Sequence, residues 1–147
     1  MGERERIAIF NQIRSHLPEA RVLDAFAGSG ALGITAISNG ANSVDFLEKN
    51  PEAIKTLSAN LKKHKCNERA KTEKNIDGLS VYDLIFADPP YDNPQYELVE
   101  KIVQKLAQGG ILVLSHPKEP TPPTFDGLEL LSDRSYAGAC IKIYFKQ

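Results

Sequence analysis

The chain has 147 residues, of which 41% are hydrophobic and 25% charged, and its formal net charge is −1. This composition is that of an ordinary globular protein, and we expect one domain over residues 1–147. The near-neutral charge excludes a strong overall positive field of the kind that many nucleic-acid-binding proteins carry.

The sequence carries no signal for a membrane, a metal or a disulfide framework. Its apolar runs fall short of the roughly 18 residues that indicate a membrane-spanning helix, and no charged-then-apolar leader precedes them. Cys66 and Cys140 lie far apart, with no CxxC motif and no pair of histidines, which favours a reducing compartment. We therefore expect a cytoplasmic protein that binds no metal, and we expect a monomer.

Helix-like and strand-like segments alternate along most of the chain. Segment 1–17 is predicted to form a short amphipathic helix, with its apolar positions between 3 and 16. After it, the patterns predict strands at 21–27, 43–48, 70–74, 82–87 and 111–115, and helices at 30–39, 51–64 and 96–106. Gly40 and the pair Gly109-Gly110 are expected to end the first and the last of these three helices.

The final third of the chain changes character. Four prolines between 117 and 123 predict a rigid, irregular connection. Segments 128–131 and 140–145 are then predicted as two strands with no helix between them, joined by a turn near Ala137-Gly138.

This order of elements predicts an α/β fold. Strands that alternate with helices favour parallel neighbours with helices on both faces, whereas two strands without a helix between them favour an antiparallel pair. We therefore predict a Rossmann-like, doubly wound, mostly parallel seven-stranded sheet with an antiparallel C-terminal hairpin.

A glycine-rich turn follows the first predicted strand. Gly28, Gly30 and Gly33 form a G-x-G-x-x-G pattern, and Glu48 ends the next strand about 20 residues later. Such an arrangement is typical of sites for adenosine-containing cofactors, where glycines let the backbone approach the ligand and the acid binds ribose hydroxyls. A tight strand-to-helix turn beside a solvated glutamate is the purely structural alternative.

Two cofactors compete for this site, a nicotinamide dinucleotide and S-adenosylmethionine. A dinucleotide needs its pyrophosphate at the helix N-terminus, and an acid such as Asp24 works against it. The same carboxylate suits the ammonium group of a methionine moiety, although a turn-binding aspartate is an alternative. Neither Lys nor His stands in an obvious position for hydride transfer, so we favour S-adenosylmethionine.

A polar loop follows the third predicted strand at the same edge of the sheet. In this loop, a polar side chain could hydrogen-bond the adenine amino group while Ile76 packs on the ring. The sequence does not decide between Asn75 and Asp77 for that hydrogen bond.

The tetrapeptide Asp88-Pro89-Pro90-Tyr91 follows the strand predicted at 82–87. Asp88 offers a carboxylate acceptor, and the rigid prolines can fix the Pro89 carbonyl as a second acceptor. Tyr91 offers a flat face on which a base can stack. Together these groups can bind and orient a planar amino group while an electrophile approaches its nitrogen. We therefore predict Asp88, Pro89 and Tyr91 as catalytic residues. A proline-rich loop with a packing tyrosine is the structural alternative.

Several of these segments resemble a known family. DAFAGSGALGITAISNGA at 24–41, FLEKN at 46–50 and DLIFADPPY at 83–91, together with RERIAIFNQI at 4–13, are similar to the bacterial 16S ribosomal RNA guanine-N2 methyltransferase family. The glycine-rich turn followed by DPPY is specific for amino-methyltransferases, and the fuller phrase FAGSGALG carries the guanine-N2 assignment.

The resemblance implies roles for individual residues. The segment from Asp24 to Gly30 would line the methionine part of S-adenosylmethionine, and Asp88 to Tyr91 would hold the target base. Glu48 would bind the ribose and Asn75-Ile76 would border the adenine. The cofactor-binding residues predicted in all are Asp24, Phe26, Ala27, Gly28, Gly30, Glu48, Lys49, Asn75, Ile76 and Asp77.

The chain also departs from the family pattern. The family usually has a longer basic segment where this chain has Met1-Gly2-Glu3, an Arg-Glu pair where it has Arg6-Ile7, and often an acid in place of Ser115. These departures concern RNA affinity and target choice rather than the cofactor site.

The predicted function is transfer of a methyl group from S-adenosylmethionine to the exocyclic N2 amino group of a guanine in small-subunit ribosomal RNA. The partner is ribosomal RNA or a small ribosomal subunit particle. Three alternatives stay open: a DNA adenine-N6 methyltransferase, a nicotinamide-dependent oxidoreductase and a non-catalytic binding module of the same fold.

Overall fold

The computed structural model describes residues 1–147 and contains one seven-stranded sheet, with strand order β3-β2-β1-β4-β5-β7-β6. The strands are β1 Arg21–Ala25, β2 Ser43–Leu47, β3 Ala70–Glu73, β4 Tyr82–Ala87, β5 Leu106–His116, β6 Leu128–Tyr136 and β7 Ala139–Lys146. Strands β1 to β5 pair in parallel, and β7 pairs antiparallel with both β5 and β6. The predicted fold class is therefore confirmed, including the antiparallel hairpin at the C-terminus.

Helices cover both faces of the sheet. They are α1 Glu3–Ile13, α2 Ala31–Ser38, α3 Pro51–Lys63 and α4 Tyr96–Val103. Because side chains alternate along a strand, each strand supplies both faces, as Val22 and Leu23 of β1 do. Helices α1, α2 and α3 pack on the face that contains Val22, and α4 packs on the other. No helix combines the length and apolar character needed to cross a bilayer.

The local signals that begin α3 are those the sequence indicated. Asn50 caps the helix, because its side-chain oxygen accepts hydrogen bonds from the backbone N–H groups of Glu52 and Ala53 at 2.9 and 3.2 Å. Pro51 occupies the first turn, where its missing N–H has no cost. These two signals fix the start of α3 at Pro51, three residues after Glu48.

The boundary between α4 and β5 differs from the prediction. The helix was expected to reach residue 106 and to stop at Gly109-Gly110, but it ends at Val103, and Leu106 already belongs to β5 beside Tyr82. Pairing shifts from Tyr82–Leu106 to Leu84–Ile111, so the glycines lie in an irregular stretch within the strand. Gly109 has φ +79°, and a side chain at Gly110 would approach the Ala107 carbonyl oxygen at 2.7 Å.

Strand β6 is also longer than predicted, with nine residues instead of the segment 128–131. It pairs with β7 as far as Tyr136–Ala139 around the predicted turn, in which Gly138 has φ +80°. The alternation of apolar and polar residues that predicts a strand is weak in this segment, because it contains Glu129, Asp133 and Arg134. Charged side chains of this kind are usual on an edge strand.

Candidate active site

A cavity of about 840 Å³ opens at the carboxyl ends of the parallel strands. It lies beside the point where β1 and β4 pair and the chain's winding direction reverses, which is where open α/β sheets bind ligands. Its walls come from the connections that follow β1, β2, β3 and β4. Its volume falls in the range expected for a small-molecule site.

The glycine-rich turn forms one wall, and its three glycines have different surroundings. Gly28 lines the cavity with φ +56°, and a Cβ placed there would meet no atom within 4 Å. At Gly30 and Gly33, in contrast, a Cβ would come within 2.4 Å of Leu57 Cδ1 and of Phe46 Cε1 respectively. Gly28 thus leaves room for a ligand, whereas Gly30 and Gly33 allow the start of α2 to pack closely.

The Glu48 carboxylate ties this turn to the end of β2. Its Oε1 accepts a hydrogen bond from the Gly28 N–H at 2.8 Å, and its Oε2 accepts from the N–H groups of Lys49 and Asn50 at 3.1 and 3.0 Å. Glu48 also lines the cavity. The contact makes Glu48 an organiser of the turn as well as an acceptor that faces the cavity.

Asp24 lies beneath the turn rather than on the cavity wall. It is 1% exposed, and its Oδ2 accepts a hydrogen bond from the Gly33 N–H at 2.9 Å. Burial raises the pKa of its carboxyl to about 8, with the nearby carboxylates of Asp88 and Glu48 acting in the same direction. With this pKa, the Asp24 carboxyl is mostly protonated at neutral pH and adds little negative charge to this end of the sheet.

The loop after β3 borders the opposite part of the cavity. A short 3₁₀ turn spans Ile76–Gly78, and the Asn75 side chain caps it by accepting from the Asp77 N–H at 3.0 Å. Asn75 and Ile76 line the cavity, and Asp77 does not.

The DPPY segment forms the remaining wall. Asp88, Pro89, Pro90 and Tyr91 all line the cavity. Burial raises the pKa of Asp88, whereas the Met1 ammonium, 3.6 Å from its Oδ2, and the Ser115 hydroxyl favour the ionised form. The Asp88 carboxylate can therefore accept hydrogen bonds from a nitrogen group in the cavity.

The structure brings most of the predicted site residues together. Those that line the cavity are Phe26, Gly28, Glu48, Lys49, Asn75, Ile76, Asp88, Pro89 and Tyr91. Those that lie outside its lining are Asp24, Ala27, Gly30 and Asp77. Ala27 is buried with 8% exposure, and its N–H bonds the Leu47 carbonyl at 3.0 Å.

Sequence reasoning missed other residues of the lining. They are Met1, Leu47, Asn50, Lys74, Gln95 and Leu98, whereas Pro90 lies within the segment predicted to hold the base. Leu47, Asn50 and Lys74 each adjoin a predicted site residue, so proximity in sequence could have indicated them. Gln95 and Leu98 come from the start of α4, where the helical pattern signalled packing alone. Within the chain, no three His, Cys, Asp or Glu side chains cluster as metal ligands.

Comparison with known proteins adds family information. The model of the family described as Conserved hypothetical protein 95 matches residues 1–145. YlbH of Bacillus subtilis, named a putative rRNA methyltransferase, is 30% identical in an alignment that covers 95% of this chain and 83% of YlbH. Ribosomal RNA small subunit methyltransferase D of Haemophilus influenzae is 32% identical, with 76% of this chain and 61% of that protein covered. The chain thus spans less than two thirds of the Haemophilus relative.

A solved structure agrees with the same fold. A conserved hypothetical protein of Streptococcus pyogenes superposes with a TM-score of 0.86 and 31% identity, covering 97% of this chain and 95% of the other.

Proposed function

Since this chain belongs to the Conserved hypothetical protein 95 family, we propose that it methylates ribosomal RNA, with S-adenosylmethionine as the methyl donor. The finer proposal is that the acceptor is the exocyclic N2 amino group of a guanine in small-subunit ribosomal RNA. One observation carries it: the glycine-rich turn, Glu48 and the DPPY segment line a single cavity.

The residues around the cavity fit the methyl donor. Gly28 leaves open space, Glu48 faces the cavity with a carboxylate that can accept from ribose hydroxyls, and Asn75-Ile76 offers a polar and an apolar contact for an adenine. Glu48 and Asp88, which line the cavity, offer carboxylates to the cationic donor. When bound, S-adenosylmethionine supplies an electrophilic methyl group on a sulfonium centre.

The DPPY segment acts on the acceptor base. Asp88 and the Pro89 carbonyl accept hydrogen bonds from the two N–H groups of the exocyclic amine, which favours a pyramidal nitrogen with an available lone pair. Acceptors that are already in place stabilise the positive charge that grows on that nitrogen, and orientation of the reactants adds to the rate. After the N–C bond has formed, the nitrogen loses a proton to Asp88 or to water.

Tyr91 holds the base outside its stack. An exocyclic amine within a folded RNA is reached only when the base is extruded, and stacking on an aromatic ring offsets part of that cost. The relatives named as rRNA methyltransferases favour RNA over DNA adenine, and their names favour methyl transfer over hydride transfer. The cytoplasm remains the expected compartment.

The experiment is transfer of a labelled methyl group to naked ribosomal RNA and to small-subunit particles, followed by mapping of the modified nucleotide. We expect label on a guanine N2 and a loss of roughly a thousandfold in kcat for Asp88→Asn, since one well-placed electrostatic group contributes that order of rate. Asp92→Asn, an exposed acid in the same loop, is the matched control and should keep full activity.

Other outcomes have distinct meanings. Label on DNA alone would refute the ribosomal substrate, and label on an RNA nucleotide other than guanine would refute the finer proposal. A protein that binds the donor and RNA but transfers nothing would be a binding module.

A further inference from the structure

Ser115 of β5 lies next to Asp88, which forms part of the cavity wall. The pairing of β4 with β5 places Ala87 opposite Leu114, so Asp88 and Ser115 are the next residues of the two neighbouring strands. Ser115 is 0% exposed and does not line the cavity, and it places a hydroxyl directly after the buried apolar run Ile111–Leu114. A buried hydroxyl needs a partner, because an unsatisfied one is costly.

Two DPPY side chains lie around this hydroxyl. Tyr91 Oη and Ser115 Oγ are hydrogen-bonded, and the register of β4 and β5 also places Ser115 next to Asp88, whose pKa the Ser115 hydroxyl lowers. Either hydroxyl can donate in the Tyr91–Ser115 bond, and a Ser115 hydroxyl that turns its hydrogen towards the Asp88 carboxylate accepts from Tyr91. One buried hydroxyl thus connects the acceptor and the stacking ring.

We propose that Ser115 is a positioning residue that holds the Asp88 carboxylate and the Tyr91 ring in a fixed relation at the cavity wall. The catalytic consequence of this inference rests on the proposed methyl transfer. Ser115 touches neither donor nor base; it acts through the two residues that do.

The connection has an electrostatic consequence. Burial raises the pKa of Asp88 by disfavouring its ionised form, and the Ser115 hydroxyl lowers this pKa again in part. The other titratable groups near Asp88 are the Met1 ammonium and the carboxyl of Asp24. Glu5 of α1 and Cys140 of β7 lie near the Tyr91 hydroxyl. Since these groups stay in place in a Ser115 variant, a change in Asp88 titration would report on the hydroxyl.

The first test needs no RNA. Carboxyl carbon NMR follows the titration of Asp88 in the free protein, with Asp88→Asn identifying the signal. We expect Ser115→Ala and Ser115→Cys to move the midpoint to higher pH, because alanine has no donor and cysteine a weak one. Ser115→Thr should retain the wild-type midpoint. Ser43→Ala, the same change at the far end of β2, should leave it unmoved.

The second test measures catalysis. Ser115→Ala should lower kcat by roughly tenfold near neutral pH, the effect expected for loss of a hydrogen bond to a charged group. The acid limb of its kcat profile should lie at higher pH, donor affinity should be unchanged, and Ser115→Thr should restore both kcat and profile. Tyr91→Phe should raise KM for RNA. In the double variant Tyr91→Phe with Ser115→Ala, kcat/KM should fall by less than the product of the two single-variant factors.

The two tests separate the possible failures. An unchanged Asp88 titration in Ser115→Ala, or lower activity at every pH together with weaker donor binding, would overturn the positioning role. A wild-type protein that shows the expected titration differences but transfers no methyl group to RNA would refute the proposed function and leave the Ser115 connection standing.

Discussion

The carboxyl of Asp24 combines burial with an unusual proton affinity. The unfolded chain releases this proton as the pH rises through the ordinary aspartate value near 3.8, whereas the folded protein holds it until about pH 8. Between these limits the unfolded state binds fewer protons, so the free energy of unfolding falls as the pH rises. The loss is complete only above the folded-state pKa.

We therefore predict that Asp24→Asn removes this pH dependence. The wild-type free energy of unfolding should carry a slope of up to about −1.4 kcal/mol per pH unit from Asp24 between pH 4 and 8. The variant, which cannot ionise, should lose that slope while its side-chain oxygen still accepts from the Gly33 N–H. Denaturant unfolding at several pH values measures this.

A control with the opposite sign is available on β4. The Arg21 guanidinium lowers the pKa of Asp83, so this pair contributes stability above the ordinary aspartate pKa and loses it as the pH falls. Asp83→Asn should therefore lower the free energy of unfolding above the acid range, and the difference from wild type should disappear as the pH falls through the acid range. Identical pH slopes for Asp24→Asn and wild type would contradict the placement of a protonated Asp24 in the core.

Glu48 has two roles that a substitution removes together. We predict that Glu48→Ala weakens binding of S-adenosylmethionine at least about tenfold, because a charged hydrogen-bond acceptor is lost and the Gly28 N–H loses its partner. Calorimetric titration measures the affinity, and hydrogen exchange at the Gly28 amide reports the freed turn. Glu52→Ala, an exposed acid of α3, is the control, and full-strength donor binding by Glu48→Ala would refute the ribose role.

At the scale of elements, the start of α2 depends on close packing against β2. Alanine normally stabilises a helix by about 1 kcal/mol relative to glycine. At Gly33, however, a Cβ would lie 2.4 Å from the Phe46 ring and 2.9 Å from Val44 Cγ1. We predict that Gly33→Ala lowers the free energy of unfolding by about 1–3 kcal/mol, the usual cost of overpacking.

A second substitution tests this cause. Phe46→Leu replaces the opposing ring with a smaller side chain. The double variant Gly33→Ala with Phe46→Leu should therefore lose less free energy of unfolding than the sum of the two single losses, as measured by chemical denaturation. Additive costs would mean that contact with the Phe46 ring does not explain the requirement for glycine.

The elements also show where sequence patterns suffice. The Asn50-Pro51 start of α3 depends on neighbouring residues alone, and the prediction and the structure agree there. The end of α4 depends on the pairing of Leu106 with Tyr82, a contact between distant parts of the chain. Local apolar spacing at 102, 103 and 106 continues a helical pattern across this boundary and cannot reveal it.

The same distinction applies to the cavity. Gly28, Glu48 and Asp88 could be predicted because each follows a strand, and parallel strands end at one edge of the sheet. Asp24 also lies near that edge of the sheet, but the pleat of β1 turns its side chain towards α2. Gln95 and Ser115 join the region through the path of α4 and the register of β5, which no spacing within the sequence encodes.

At the scale of the whole molecule, ligand binding to the folded state alone raises its stability. At a concentration of 100 Kd, a ligand adds about 2.7 kcal/mol to the free energy of unfolding. For a domain of this size, that corresponds to an increase of roughly 5–10 °C in Tm. We predict such a shift for S-adenosylmethionine and none for a nicotinamide dinucleotide, measured by thermal unfolding over a range of ligand concentrations.

Variants locate the binding within the cavity. Gly28→Val places a side chain in the open space of the turn and should lose the shift, whereas Asp88→Asn changes only the proposed acceptor side and should retain it. Since valine at φ +56° also strains the turn, its Tm without ligand must be measured as the reference. A dinucleotide that raised Tm while S-adenosylmethionine did not would refute the methyl-donor site.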